Sequence, residues 1–139
     1  MRDLFRRDQA DAVSGPNPDD DSNYAEHVVH ARGKRTHYTS VSTSKDAIRD
    51  FGEQLWRLVQ PKVTDDGHVV VAHEQLLWAL RALLHEGDDR TRELAARALP
   101  RSIRRREALV DWRYDVGGIE RKDRISWAER YVRAYFTRC

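Results

Sequence analysis

The leucine-rich run Leu76-Leu77-Trp78-Ala79-Leu80-Arg81-Ala82-Leu83-Leu84 restricts the fold of this chain more than any other feature. Its apolar residues recur at three- and four-residue spacing, and Gly87 follows where a helix C′ glycine belongs. So much leucine predicts a central helix from about Ala72 to Glu86, buried on more than one side. The same period extends in both directions. Ile48, Phe51, Leu55, Leu58 and Val59 predict a helix from Thr43 or Ser44 to Pro61. Leu94, Ala95, Ala98 and Leu99 predict another, capped by Asp88 or Asp89 and ended by Pro100. Ser102 then caps a fourth, from about Ile103 to Tyr114, anchored by Ile103, Leu109, Val110 and Trp112. After the break at Gly117-Gly118, the spacing of Ile125, Ala128, Tyr131, Val132, Tyr135 and Phe136 predicts a last helix from about Lys122 to Thr137. His68-Val69-Val70-Val71 is β-branched and admits a short strand near 68–71.

Residues 6–24, RRDQADAVSGPNPDDDSNY, are polar, acidic and punctuated by Pro and Gly. Such a stretch buries too little to offset its own ordering entropy. Residues 38–43, YTSVST, read as extended. The chain thus divides into an N-terminal arm (1–43), flexible or docked on a partner, and a helical domain (44–139). The expected fold is mainly α: a compact bundle of four or five helices with an extended, mostly irregular arm. Residues 76–99, LLWALRALLHEGDDRTRELAARAL, are similar to one helical hairpin of the HEAT type. A solenoid needs about three stacked repeats and no second copy is present, so the resemblance implies a single hairpin and carries no function.

Composition excludes more than it identifies. No apolar run approaches the ~20 residues that cross a bilayer. The first residues lack the apolar core of a secretory signal, so a cytoplasmic location, or one within an assembled particle, is expected. Cys139 is the single cysteine. His73-Glu74-Gln75-Leu76-Leu77 opens like a zinc-binding helix motif, but Leu77 stands where the second histidine is required. The glycines are scattered, so neither a phosphate loop nor a dinucleotide fingerprint is present. No G-x-S-x-G occurs, and most carboxylates alternate with arginine as on a solvated helix surface. No catalytic, cofactor-binding or metal-ligating residue stands out, no small-molecule substrate is evident, and a non-enzymatic role is expected.

Two binding readings remain. Four Trp and five Tyr in a small chain, several beside Arg, match the composition of protein interfaces. Trp56 and Trp127 fall off their helical stripes and, with Tyr38, are candidate interface residues. The leading expectation is therefore an assembly or adaptor protein whose arm docks on neighbouring subunits, as in a viral or phage particle or another large complex. The alternative is DNA or RNA binding. The 25 basic residues are 21 Arg and 4 Lys, and residues 101–139 hold eleven of them against six Asp and Glu. Arg32, Lys34 and Arg35 on the arm, with Arg101, Arg104, Arg105 and Arg106 at the start of the fourth helix, are the candidate phosphate contacts. A net charge of +2 is modest for a dedicated nucleic-acid binder.

Overall fold

The computed structural model describes residues 2–30 and 35–139. It corrects the expected fold class: the chain is mixed α/β, not a helical bundle. Among the described residues six strands form one antiparallel sheet. They are β1 (Phe5–Asp8), β2 (Tyr38–Ser42), β3 (Gln54–Leu58), β4 (Val69–Val71), β5 (Glu107–Asp111) and β6 (Phe136–Arg138), in the spatial order β4-β5-β2-β1-β3-β6. The helices are α1 (Tyr24–His30), α2 (Gln60–Asp65), α3 (His73–Glu86), α4 (Asp89–Arg105) and α5 (Arg124–Arg133).

Each departure from the expected helices has a local cause. The first expected helix is instead a single 3-10 turn (Asp46–Ile48), then β3, then α2. Trp56 and Leu58 are buried while Arg57 between them is exposed, the two-residue alternation of a strand. Gly52 makes this route passable, since a Cβ there would lie 2.7 Å from the Asp8 backbone nitrogen. Pro61 opens α2 instead of closing a helix, where its missing N–H is no loss. Pro100 lies inside α4, with Ala96, whose carbonyl loses its partner there, on the exposed side. The helix runs on to Arg105 and stops at Arg106, whose φ of 50° is left-handed. The expected fourth helix is therefore the end of α4 followed by β5. All five residues of β5 are buried, so it lacks the alternation that marks a half-exposed strand. The last expected helix is shorter, and its C-terminal end is β6.

The first 43 residues, expected to be an extended and irregular arm, supply β1, α1 and β2. They have apolar anchors after all: Leu4, Phe5, Val13, Ala25, Val28, Val29 and Val41 are buried. β2 lies beside β5 along its length, from Tyr38 opposite Asp111 to Ser42 opposite Glu107.

The sheet separates two cores. On one face Val41, Trp56, Leu58, Ala108, Val110 and Trp112 pack with Val63, Val132, Tyr135 and Phe136. On the other, Val71 and Leu109 pack under α1, α3 and α4 through Ala25, Val28, Leu76, Leu80, Leu94, Ala95 and Ala98. α3 and α4 pair as a hairpin, with Asp88 capping α4 by accepting from the Thr91 amide at 2.8 Å. Among the described residues no helix is long and apolar enough to cross a membrane.

Candidate functional site

β1 and β2 register at Phe5 and Ser42, whereas β1 runs beside β3 for all four of its residues. Beyond Phe5 a side chain spans the β1–β2 gap: Arg6 Nη1 donates to the Ser40 carbonyl at 2.9 Å. A cleft of about 340 Å³ opens here, lined by Arg6, Arg7, Arg35, Arg105, Tyr38 and Phe51 among others. A second chamber of about 70 Å³ shares Arg6, Arg7, Ser40, Phe51 and Arg105 with it and reaches Glu107.

The arginines are placed by backbone and carboxylate partners. Arg6 Nε donates to Asp8 Oδ2 at 2.8 Å. Asp8 also accepts from the Ser14 amide at 2.8 Å and the Ser14 hydroxyl at 2.9 Å, folding residues 9–14 around it. Burial pushes the Asp8 carboxyl up, but the Arg6 charge and the Ser14 bonds outweigh it and hold the group below the usual range. Arg35 Nη1 donates to the Gly15 carbonyl at 2.7 Å. The Arg105 guanidinium lies 5.1 Å over the Phe51 ring. Arg7 Nη1 reaches the Gly52 carbonyl at 3.3 Å, and Arg7 Nε is buried with no hydrogen-bond partner among the described residues. A buried guanidinium N–H without an acceptor is costly unless something else supplies one.

The floor is a chain of buried polar groups. The Ser40 hydroxyl donates to Glu107 Oε2 at 2.7 Å, so the 2.6 Å contact between His27 Nε2 and Ser40 Oγ has His27 as donor. His27 Nδ1 must then accept from the Thr36 hydroxyl. Burial first, and the nearby Arg6 charge second, lower the His27 pKa to about 3, so the ring is neutral. Glu107 is 2% exposed, and burial raises its pKa against the opposing bonds from Ser40 and Ser102. His73 Nδ1 donates to the Glu107 carbonyl at 2.7 Å and fixes the first residue of β5. The result is a carboxylate fed by one directional relay, Thr36 to His27 to Ser40 to Glu107, beneath a ring of arginines.

Of the residues named from sequence, Arg35, Arg105 and Tyr38 line this cleft. Tyr38 is half-buried between aromatic rings, with centroids 5.2 Å from Tyr24 and 3.8 Å from His37. Arg101 donates to the Val29 carbonyl at 2.9 Å and ties α4 to α1. Arg104 and Arg106 are exposed at the end of α4. Trp56 has no exposed surface; its Nε1 donates to the Gln9 carbonyl at 3.1 Å and its ring lies 4.3 Å from the Arg133 guanidinium. Trp127 is half-buried, stacked on Tyr131 at 5.0 Å and edge-on to Tyr114 at 5.0 Å. Arg32 and Lys34 lie outside the described residues.

Sequence reasoning missed Arg6, Arg7, His27, Ser40, Phe51 and Glu107. Two signals point to Ser40 and Glu107. Ser40 and Ser42 alternate with Thr39 and Val41, so polar residues share one face of an extended segment. Glu107 opens the apolar run Ala108-Leu109-Val110, and a carboxylate leading a buried strand needs a partner or a task.

Compared with models of known protein families, with curated proteins and with solved structures, the chain matches none of them, so its chemistry has to be read from its own residues.

Proposed function

We propose that the protein is an enzyme that binds a pyrophosphate-bearing dinucleotide in the arginine cleft and breaks an N-glycosidic bond of that ligand at Glu107. The observation that carries this reading is the Glu107 carboxylate, positioned by the Ser40–His27 relay at the floor of an arginine-lined cleft. Arginine forks suit phosphate oxygens. The larger chamber, about 340 Å³, falls within the usual range for small-molecule sites, about 300–1,000 Å³, and Glu107 lines the smaller one that shares its arginines.

The donor's leaving group follows from the acid count. Ordinary glycoside hydrolysis uses two carboxyl groups, one of which protonates the leaving oxygen. Glu107 is the one carboxylate among the described residues lining the two chambers. A bond that breaks without general acid is the one to a pyridinium, as in NAD, because the pyridine leaves neutral with the bonding pair. Glu107 then faces the ribosyl cation as it develops, and water or another nucleophile completes the new bond at C1′ and releases its proton to solvent.

This reading differs from the assembly role expected from composition. It is supported by the positions of Tyr38 in the cleft and Trp56 in the core. One observation favours assembly as a second reading: Trp78 on α3 is 75% exposed. A sedimentation series that shows a monomer at all concentrations, with or without Trp78→Ala, removes that second reading.

Purified protein incubated with NAD tests the first. Nicotinamide release is expected, and Glu107→Gln should suppress it by about 10²–10³-fold, the loss typical of removing one group that stabilises transition-state charge. Unchanged release by that variant, or no NAD binding by the wild type, defeats the proposal.

A further inference from the structure

α3 carries a face left uncovered among the described residues. Glu74, Trp78, Arg81 and His85 recur at four- and three-residue spacing, so they form one stripe along the helix, opposite the buried His73, Leu76 and Leu80. All four are exposed, and Trp78, at 75%, is the most exposed large apolar side chain among the described residues. None of the four side chains has a hydrogen-bond or ion-pair partner among the described residues. Half-buried Leu77 and Leu84 run along one flank of the stripe, and exposed Gln75 and Ala82 along the other. Ala79 and Ala82 also wall an apolar hollow of about 280 Å³ with Tyr24, Tyr38 and Leu83, so the surface beside Trp78 is recessed and lets a second helix approach.

We propose that this face binds a second copy of the chain, α3 against α3, antiparallel across a two-fold axis. The donor reaction is not needed for this; the proposal gives the assembly reading of Trp78 a partner and a register. What identifies the occupant is the order of residues along the stripe. Run antiparallel, the stripe meets itself in complementary pairs: Trp78 lies against the partner's Arg81, and Glu74 against the partner's His85, each pair occurring twice by symmetry. The guanidinium covers the indole face, and a ring N–H of the partner's His85 donates to the Glu74 carboxylate. On the flank, Leu77 comes beside the partner's Leu84. Run parallel, the same stripe sets each residue against its own copy, which opposes carboxylate to carboxylate and guanidinium to guanidinium. A helix of unrelated sequence would have to supply the same order of acid, aromatic, cation and imidazole, which a second copy already holds. α3 has 14 residues, about 21 Å of helix, and one pair of such helices makes an interface at the small end, under about 1,200 Å². The dimer is therefore weak and reversible, and the monomer prevails in dilute solution.

Sedimentation equilibrium of the full chain, from about 5 to 500 μM, tests the proposal: the average mass should rise with concentration toward that of a dimer. Trp78→Ala should weaken association tenfold or more, as loss of a central indole does. Glu74→Arg and His85→Glu should each weaken it severalfold. The two together exchange the charges across the seam and should return the affinity to within about threefold of wild type, a rescue that general stickiness of the indole does not produce. Far-UV circular dichroism matching the wild type shows that the variants are folded, as expected for exposed positions. A monomer at every concentration overturns the inference and the assembly reading with it. Association that ignores Trp78→Ala, or a double exchange that binds no better than either single change, overturns the inference alone and means that another surface or register joins the copies. No readout uses NAD, so the donor reaction stands or falls separately.

Discussion

The two faces of β2 and β5 are made by alternate residues of the same short segments, yet they do opposite things. Val41, Ala108 and Val110 enter an apolar core with Trp56 and Val132, where the contacts are dispersion and the area withdrawn from water. Ser40, Ser42 and Glu107 point the other way and are nearly as buried at the serine–glutamate end, but every one of them is hydrogen-bonded. The apolar face explains why the sheet is stable. On the other face Leu109 joins the second apolar core under α1, α3 and α4, but at the serine–glutamate end burying a carboxylate and a neutral histidine opposes folding unless the bonds between them compensate. Polar residues retained in a position where apolar ones would serve stability as well mark the side on which chemistry is to be sought.

The largest effect is expected on the apolar side. Trp56→Ala should destabilise the protein by about 3–5 kcal/mol, measured by chemical denaturation, because a fully buried indole leaves a cavity in the core. A loss below about 1 kcal/mol would show that this face does not hold the sheet. From the polar side, Glu107→Gln keeps the shape and should leave the melting temperature equal or higher while removing about 10²–10³-fold of donor cleavage. If that variant unfolds instead, Glu107 is structural. Because burial raises the Glu107 pKa, wild-type cleavage should fall on the acid side with an inflection above the ordinary glutamate value.

Arg7→Ala sharpens the same contrast with a smaller effect. Affinity for ADP-ribose, followed by calorimetry, should drop about 10- to 100-fold, the worth of a hydrogen bond to a charged group. Stability should hold or rise, since a buried N–H lacking a partner among the described residues is removed. A stability loss with unchanged affinity would place Arg7 in the scaffold. His27 supplies an effect that depends on pH. Its folded pKa, about 3, lies below the unfolded value of about 6.5, so the unfolded state takes up a proton first. The stability tied to the neutral ring is whole above about pH 6.5 and is lost as pH falls toward 3, at no more than about 1.4 kcal/mol per pH unit. The raised Glu107 pKa acts in the opposite sense on the acid side, so the informative quantity is the difference between wild type and His27→Gln. Superimposable stability–pH curves for the two would refute the account of the relay.

Legibility in the sequence followed the range of the interactions. α3 lies where its leucines recur, and α4 begins at its Asp88 cap, because helix signals are local. β1, β3 and β5 were hidden because their partners are distant. Ser42 and Glu107 are opposite each other only once the fold exists, and β5, buried throughout, carries no alternation to read. Pro100 shows the same limit from the other side, a local stop overridden by the packing of α4 on α3 and α1. Within the site, Arg35, Arg105 and Tyr38 stand out by residue type, while Glu107 does not. What made Glu107 distinctive was its depth, and depth is a property of the folded chain.

The outermost strands of the sheet, β4 and β6, are three residues each. A sheet with a strand buried at all five residues, Ala108-Leu109-Val110 in succession among them, is at risk of growing by adding strands from other molecules, and growth starts at an open margin. Margins this short present few unpaired amides, and Arg138 places a charge on one of them. The architecture that covers β5 with the short β4 thereby also keeps the native protein from seeding fibrils, and leaves the unpaired, unfolded chain as the species from which aggregates would form.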